Sequence, residues 1–83
     1  METEAVCKAF GNPERARLVA CLSREHSVTE LLGKCALTQS ALSQHLKVLR
    51  DAGAVEARRE GREIRYRAHA RALRLAKLLL SYS

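Results

Sequence analysis

The sequence predicts a mainly α domain of about five helices with one two-stranded β-hairpin, forming a single unit over residues 1–83. Three observations carry this. Apolar residues recur at helical spacing through most of the chain, the spacing changes to strict alternation only between Val55 and Ala68, and helical spacing returns from Ala70. Aromatic residues make up 4% of the chain and Trp is absent, so the core has to be aliphatic. A chain of 83 residues closes only a small core of that kind.

Each element has its own signal. Ala5, Val6, Ala9 and Phe10 are spaced for a short first helix. Gly11-Asn12-Pro13 ends it and starts the next, because Asn12 can cap and Pro13 suits a first helical turn. The second helix runs to about Leu22, with Leu18, Val19 and Leu22 as its apolar face, and the polar stretch Ser23 to His26 reads as a turn. Ser27-Val-Thr-Glu30 has the form of a capping box, opening a short helix through about Lys34. Residues 33–37 connect it to a longer helix that Thr38 caps and Gly53 terminates. A short helix, a turn and a longer helix with a polar outer face constitute a helix-turn-helix. Val55 and Ala57 then alternate with Glu56 and Arg58, and Ile64, Tyr66 and Ala68 alternate with Arg65 and Arg67. With Glu60-Gly61 between them, these two runs read as a hairpin, the wing of a winged helix-turn-helix.

The helix over residues 38–53 is the most informative stretch. At about 100° per residue, Leu42, Leu46 and Leu49 fall within roughly 60° of one another and form a stripe that must be buried. The opposite arc carries Ser40, Ser43, Gln44 and Lys47. An ordinary solvated face would carry Glu and Lys pairs. Short side chains that donate and accept hydrogen bonds are what a DNA major groove admits, since they let the backbone approach base edges.

Charge points the same way. The net charge is +6. Residues 1–45 hold five basic and five acidic side chains, whereas residues 46–83 hold ten basic and four acidic, so the whole surplus lies in the second half. Such asymmetry suits a polyanion-facing surface. No apolar run approaches the ~20 residues that span a bilayer, and the acidic start is unlike a secretory signal, so a cytoplasmic location is expected. Three cysteines without close spacing make no disulfide framework and agree with a reducing compartment. From Ala70 to Tyr82, Leu73, Ala76 and Leu80 line one side while Leu75, Leu78 and Leu79 widen it. That is more apolar surface than one small core can cover, and it implies a partner, most simply a second copy of the chain.

Phe10-Gly-Asn-Pro-Glu-Arg-Ala-Arg17, the stretch Thr38 to Gly53, and Val55 to Tyr66 together resemble the ArsR/SmtB family of winged-helix repressors over nearly the whole chain. The resemblance implies a dimer that binds a palindromic operator in double-stranded DNA and releases it when an effector binds. It puts the base-reading positions on Gln39, Ser40, Ser43 and Gln44, and phosphate holding on Thr38, Lys47 and the wing residues Arg58, Arg59 and Arg62. It builds the dimer seam from the first and last helices, hence from Val6, Phe10, Leu75, Leu78 and Leu79. His45 lies beside the leucine stripe and reads as a packing or phosphate-side residue.

The family's metal sites need paired cysteines on the short helix before the turn, or carboxylates and histidines on the last helix. Residues 28–34 hold no Cys and residues 68–83 hold His69 but no acid, so no metal site and no cofactor are expected. Among the cysteines, Cys21 beside Leu18 and Leu22 reads as buried, Cys7 as accessible, and Cys35 as the most reactive because Lys34 adjoins it. The effector is open: no ligand at all, or a thiol sensor of arsenite or of redox and sulfur species. No Cys, His and acid recur in a catalytic motif, so no enzyme is expected. A protein-binding or RNA-binding winged helix is the other alternative. The basic wing and the polar arc count against the first, and the few aromatics against the second.

Overall fold

The computed structural model describes residues 3–82. Five helices and three strands follow in the order α1 (Thr3–Ala9), α2 (Pro13–Cys21), β1 (His26–Ser27), α3 (Val28–Lys34), α4 (Gln39–Asp51), β2 (Val55–Glu60), β3 (Glu63–Ala68) and α5 (Ala70–Ser81). The mainly α fold with a hairpin wing is the one the sequence predicts, with one strand more than expected. His26 does not lie in a polar turn: it is buried in β1, which pairs antiparallel with β3 so that His26 faces Tyr66 and Ser27 faces Arg65. A buried imidazole is tolerated here because both ring nitrogens are engaged, Nδ1 with the Arg24 carbonyl and Nε2 with Lys34 Nζ, each at 2.8 Å. Lys34 can only donate, so the ring proton sits on Nδ1.

The helix boundaries come from local chemistry. The Asn12 side chain accepts from the Glu14 N–H at 2.9 Å, and Pro13 occupies the first turn. Ser27 and Glu30 form both halves of the capping box at 3.2 and 2.8 Å. Thr38 Oγ1 accepts from Ala41 N–H at 3.1 Å at the start of α4. Gly53, with φ of 77°, closes α4. Its N–H bonds to the Arg50 carbonyl at 3.0 Å and that of Ala54 to the Leu49 carbonyl at 2.9 Å, the paired bonds of a Schellman ending.

The core draws Val6, Ala9 and Phe10 from the first helical segment, and Leu18, Val19 and Leu22 from the second. Ala16, Leu31, the α4 leucines, Ala54, Val55, Tyr66, Ala72 and Ala76 complete it. Each fully buried leucine stabilises the fold by about 1.5–3 kcal/mol, a large share for a domain this small. Helix α5 packs on α2 through Ala72 and Ala76, both fully buried, and small residues at that contact let the two helices approach closely.

This use of α1 corrects one expectation. Val6 is 0% and Phe10 8% exposed within the single chain, so the residues read as seam are spent on its own core. Helix α1 is only seven residues long and turns its apolar side inward to shield the α4 stripe. Leu75 is half-buried against the core, whereas Leu78 and Leu79 remain 55% and 47% exposed. Among the described residues, no helix is long and apolar enough to cross a membrane.

Candidate nucleic-acid interface

Helix α4 divides as its sequence requires. Leu42 and Leu49 are fully buried and Leu46 is 3% exposed, while Gln39, Ser40, Ser43, Gln44 and Lys47 are all exposed. The buried stripe fixes the helix by about three leucine side chains' worth of apolar burial, so the polar arc is held rigidly at the surface. Thr38 uses its oxygen lone pair to cap the helix, which leaves its hydroxyl proton available to a phosphate. Lys47 pairs with Asp51 at 3.2 Å, but both side chains are more than 60% exposed. Such a pair contributes only a few tenths of a kcal/mol, about 0.3–0.5, and a phosphate can replace the carboxylate.

His45 is half-buried, and Arg15 explains its place. Arg15 Nη1 donates to the Ala9 carbonyl at 2.9 Å and its Nε to His45 Nδ1 at 3.3 Å, tying the end of α1, the start of α2 and the middle of α4 together. The sequence placed His45 on the flank of the stripe but gave no sign of Arg15 as its partner. The two lie 30 positions apart, a tertiary relation that periodicity does not encode.

The wing is built by β2 and β3 in register, with Val55 opposite Ala68 and Glu60 opposite Glu63. Gly61 takes φ of 61°, and Arg62 beside it does not need a positive φ, the pattern of a two-residue turn with Gly in its first place. Alternation puts Val55, Ala57, Arg59, Ile64, Tyr66 and Ala68 on the face that begins in the core. Beyond Tyr66 this face leaves the core, and Ile64 is 45% exposed at the tip beside Arg59.

The other face shows what Arg58, read as a phosphate-holding wing residue, is paired with in the free chain. Arg58 is not a free wing cation like Arg59 and Arg62. It donates to Glu25 and, at 2.9 Å, to Glu60. Arg65, directly opposite Arg58, reaches Glu25, Glu30, Glu63 and Glu60 at 2.9, 3.1, 3.3 and 3.8 Å. The Arg58 and Arg65 hydrogen bonds hold the Glu25 carboxyl below the usual carboxylate range. The Ser27 backbone N–H, then the Arg65 charge, do the same for Glu30. Lowered pKa values mean that the cluster stabilises the fold above about pH 4.5 and is lost only as acid titrates it below that value. At neutral pH Arg58 is compensated.

The cysteines also depart from expectation. Cys21 is exposed, because it lies one turn after exposed Arg17 on the outer side of α2. Cys35, the C-cap of α3, is half-buried, and burial pushes its thiol up in pKa, with the neighbouring Cys21 thiol in hydrogen-bonding reach adding to the rise and Lys34 opposing it. Desolvation outweighs the lysine, so Cys35 is the less reactive kind of thiol. Cys7 is exposed as expected. His69 caps α5, its Nδ1 accepting from Arg71 N–H at 3.3 Å. Among the described residues no three His, Cys, Asp or Glu side chains converge where a metal could sit.

Comparison with known proteins places this geometry. A family described as "Helix-turn-helix domain" matches residues 10–58. The chain is 42% identical over 80 residues to the biofilm growth-associated repressor of Agrobacterium fabrum, covering 94% of this chain and 68% of that one. It is 38% identical over 66 residues to an arsenic resistance transcriptional regulator of Pseudomonas putida, covering 77% of this chain and 52% of that one. The crystal structure of the transcriptional repressor BigR from Xylella fastidiosa superposes with a TM-score of 0.83 at 38% identity, over 95% of this chain and 83% of that one.

Proposed function

Since the chain belongs to the ArsR-like winged helix-turn-helix regulators of transcription, we propose that it is a homodimeric repressor that reads an inverted-repeat operator with α4 and clamps it with the wing. One observation carries this reading: the exposed arc Gln39, Ser40, Ser43 and Gln44 stands on a leucine stripe that is almost wholly buried. Gln39 and Gln44 suit an adenine edge, the serines suit bases or phosphates, and Thr38, Lys47, Arg59 and Arg62 hold the backbone. Arg58 supports the clamp from within the wing. Leu78 and Leu79 of each copy supply the seam, with Leu75 beneath them. Such a protein works in the cytoplasm, where its DNA is.

The experiment divides reading from holding. Gln39→Ala, Ser43→Ala or Gln44→Ala costs about 1–3 kcal/mol on the operator and almost nothing on random duplex. Arg59→Ala or Arg62→Ala weakens both duplexes alike. Fluorescence anisotropy against the inverted repeat beside the gene measures both, and equal behaviour of the two sets refutes the division of roles.

The two thiols Cys21 and Cys35, near enough for the first to raise the pKa of the second, favour a second reading, thiol sensing of arsenite, peroxide or persulfide within the same DNA-binding role. The expected result is that changing Cys7, Cys21 and Cys35 together to Ala leaves operator affinity intact. The cost in stability is about 1 kcal/mol, and it comes from half-buried Cys35 rather than exposed Cys21. Release of the unaltered protein from DNA by one of those reagents, absent in the triple variant, establishes the second reading instead.

A further inference from the structure

We propose that Arg65 is a positioning residue that sets the angle of the wing against the helix-turn-helix, so that wing tip and reading helix engage DNA as one unit. The proposal rests on the DNA-binding reading above.

The base of the wing is anchored by buried Val55 and Tyr66 and by the bond of the His69 N–H to the Ala54 carbonyl, but beyond Tyr66 the wing has few other restraints. Its tip, with Ile64 largely exposed, stands clear of the core, and β1 braces β3 through only two residues. Arg65 supplies what the short strand does not. Its side chain is 22% exposed and its three nitrogens fan out to separate parts of the fold. Nη2 meets Glu30 Oε1 at 3.1 Å, the same oxygen that accepts the Ser27 N–H in the capping box of α3. Nε meets Glu25 at 2.9 Å in the segment leading to β1, and Nη1 meets Glu63 at 3.3 Å at the base of the turn. Arg58 on β2 shares the Glu25 oxygen. One planar fork thus joins α3, the β1 approach and both wing strands, a geometry that a lysine cannot reproduce.

Arg65 does not itself reach for phosphate in this arrangement. Four carboxylates face two guanidinium groups, so this side of the wing is locally acidic and the cations facing DNA are Arg59 and Arg62. A positioning role and a direct contact therefore give different salt behaviour, because a direct contact removes one phosphate charge per subunit whereas a displaced wing withdraws both Arg59 and Arg62.

The test uses Arg65→Met, which keeps the stem, and Arg65→Lys, which keeps the charge, with Glu25→Gln as a milder cut should either fail to fold. In the free protein, amide exchange of residues 25–27 and 55–68 should rise by about tenfold or more while α4 and α5 keep their protection. On the operator, affinity should fall by at least about tenfold and the salt slope should flatten by about two per subunit, as it does when Arg59 and Arg62 are both removed. Combining Arg65→Met with Arg59→Ala and Arg62→Ala should lose far less than the product of the separate losses, because a misplaced wing has no contact left to remove. Arg65→Lys should behave like Arg65→Met. Unchanged exchange in the wing, multiplicative losses, or a slope reduced by about one per subunit each overturns the proposal. Selective exchange in a protein that binds no duplex at all refutes the DNA reading and leaves the tether standing.

Discussion

Leu79→Glu should convert the protein to a monomer that has lost its operator by on the order of a thousandfold. Leu79 is 47% exposed beside Leu78 on α5, and the core takes only Ala72 and Ala76 from that helix in full. A carboxylate there leaves the chain's own packing untouched but places two like charges in an apolar seam. The loss is large because two linked reading helices gain about 10²–10⁴ in affinity over one. Sedimentation velocity at micromolar concentration and anisotropy on the inverted repeat measure the two effects. A folded monomer in the unaltered protein, or a charged variant that still binds the full operator, removes the two-fold arrangement and the palindrome with it.

The second large effect is the response to salt. Arg59 and Arg62 from two copies, with Lys47 released from Asp51, give about six phosphate contacts and a slope of log K against log salt near −5. Raising salt from 50 to 200 mM then weakens binding by about a thousandfold. Counting Arg58 as well would steepen the slope, but Glu25 and Glu60 already neutralise it. A flat response on every duplex refutes DNA binding, whereas a slope near −7 shows that DNA draws Arg58 out of its carboxylates.

What the sequence revealed follows from which relations are local. The caps at Asn12, Ser27, Thr38 and Gly53 are written within four residues of the groups they satisfy, and all four are present. The exposure of the polar arc was equally legible, since one period of 3.6 separates Leu42, Leu46 and Leu49 from the polar side. The misses involve distance along the chain. His26 looks like a turn residue until Tyr66 and Lys34 are beside it, 40 and eight positions away. Cys21 next to Leu22 looked buried, although a helix turns by about 100° at each step and carries it outward. Arg58 and Arg59 look alike in sequence, and only the strand alternation and Glu25 separate a compensated cation from a free one.

The closure of α4 has one further consequence. Between Asp51 and Val55 the backbone is held at Gly53 and at fully buried Ala54, whose N–H bonds to the Leu49 carbonyl and whose own carbonyl accepts from His69 at 2.9 Å. The link between α4 and the base of the wing is therefore held on both sides. With that link fixed and the Arg65 cluster holding the wing above it, α4 and the wing form one bracket only while both restraints are in place. In the proposed dimer, a signal that ends binding then has two routes, to break the Arg65 cluster or to tilt the two brackets against each other. A compound that binds both tilts equally changes nothing, however tightly it binds.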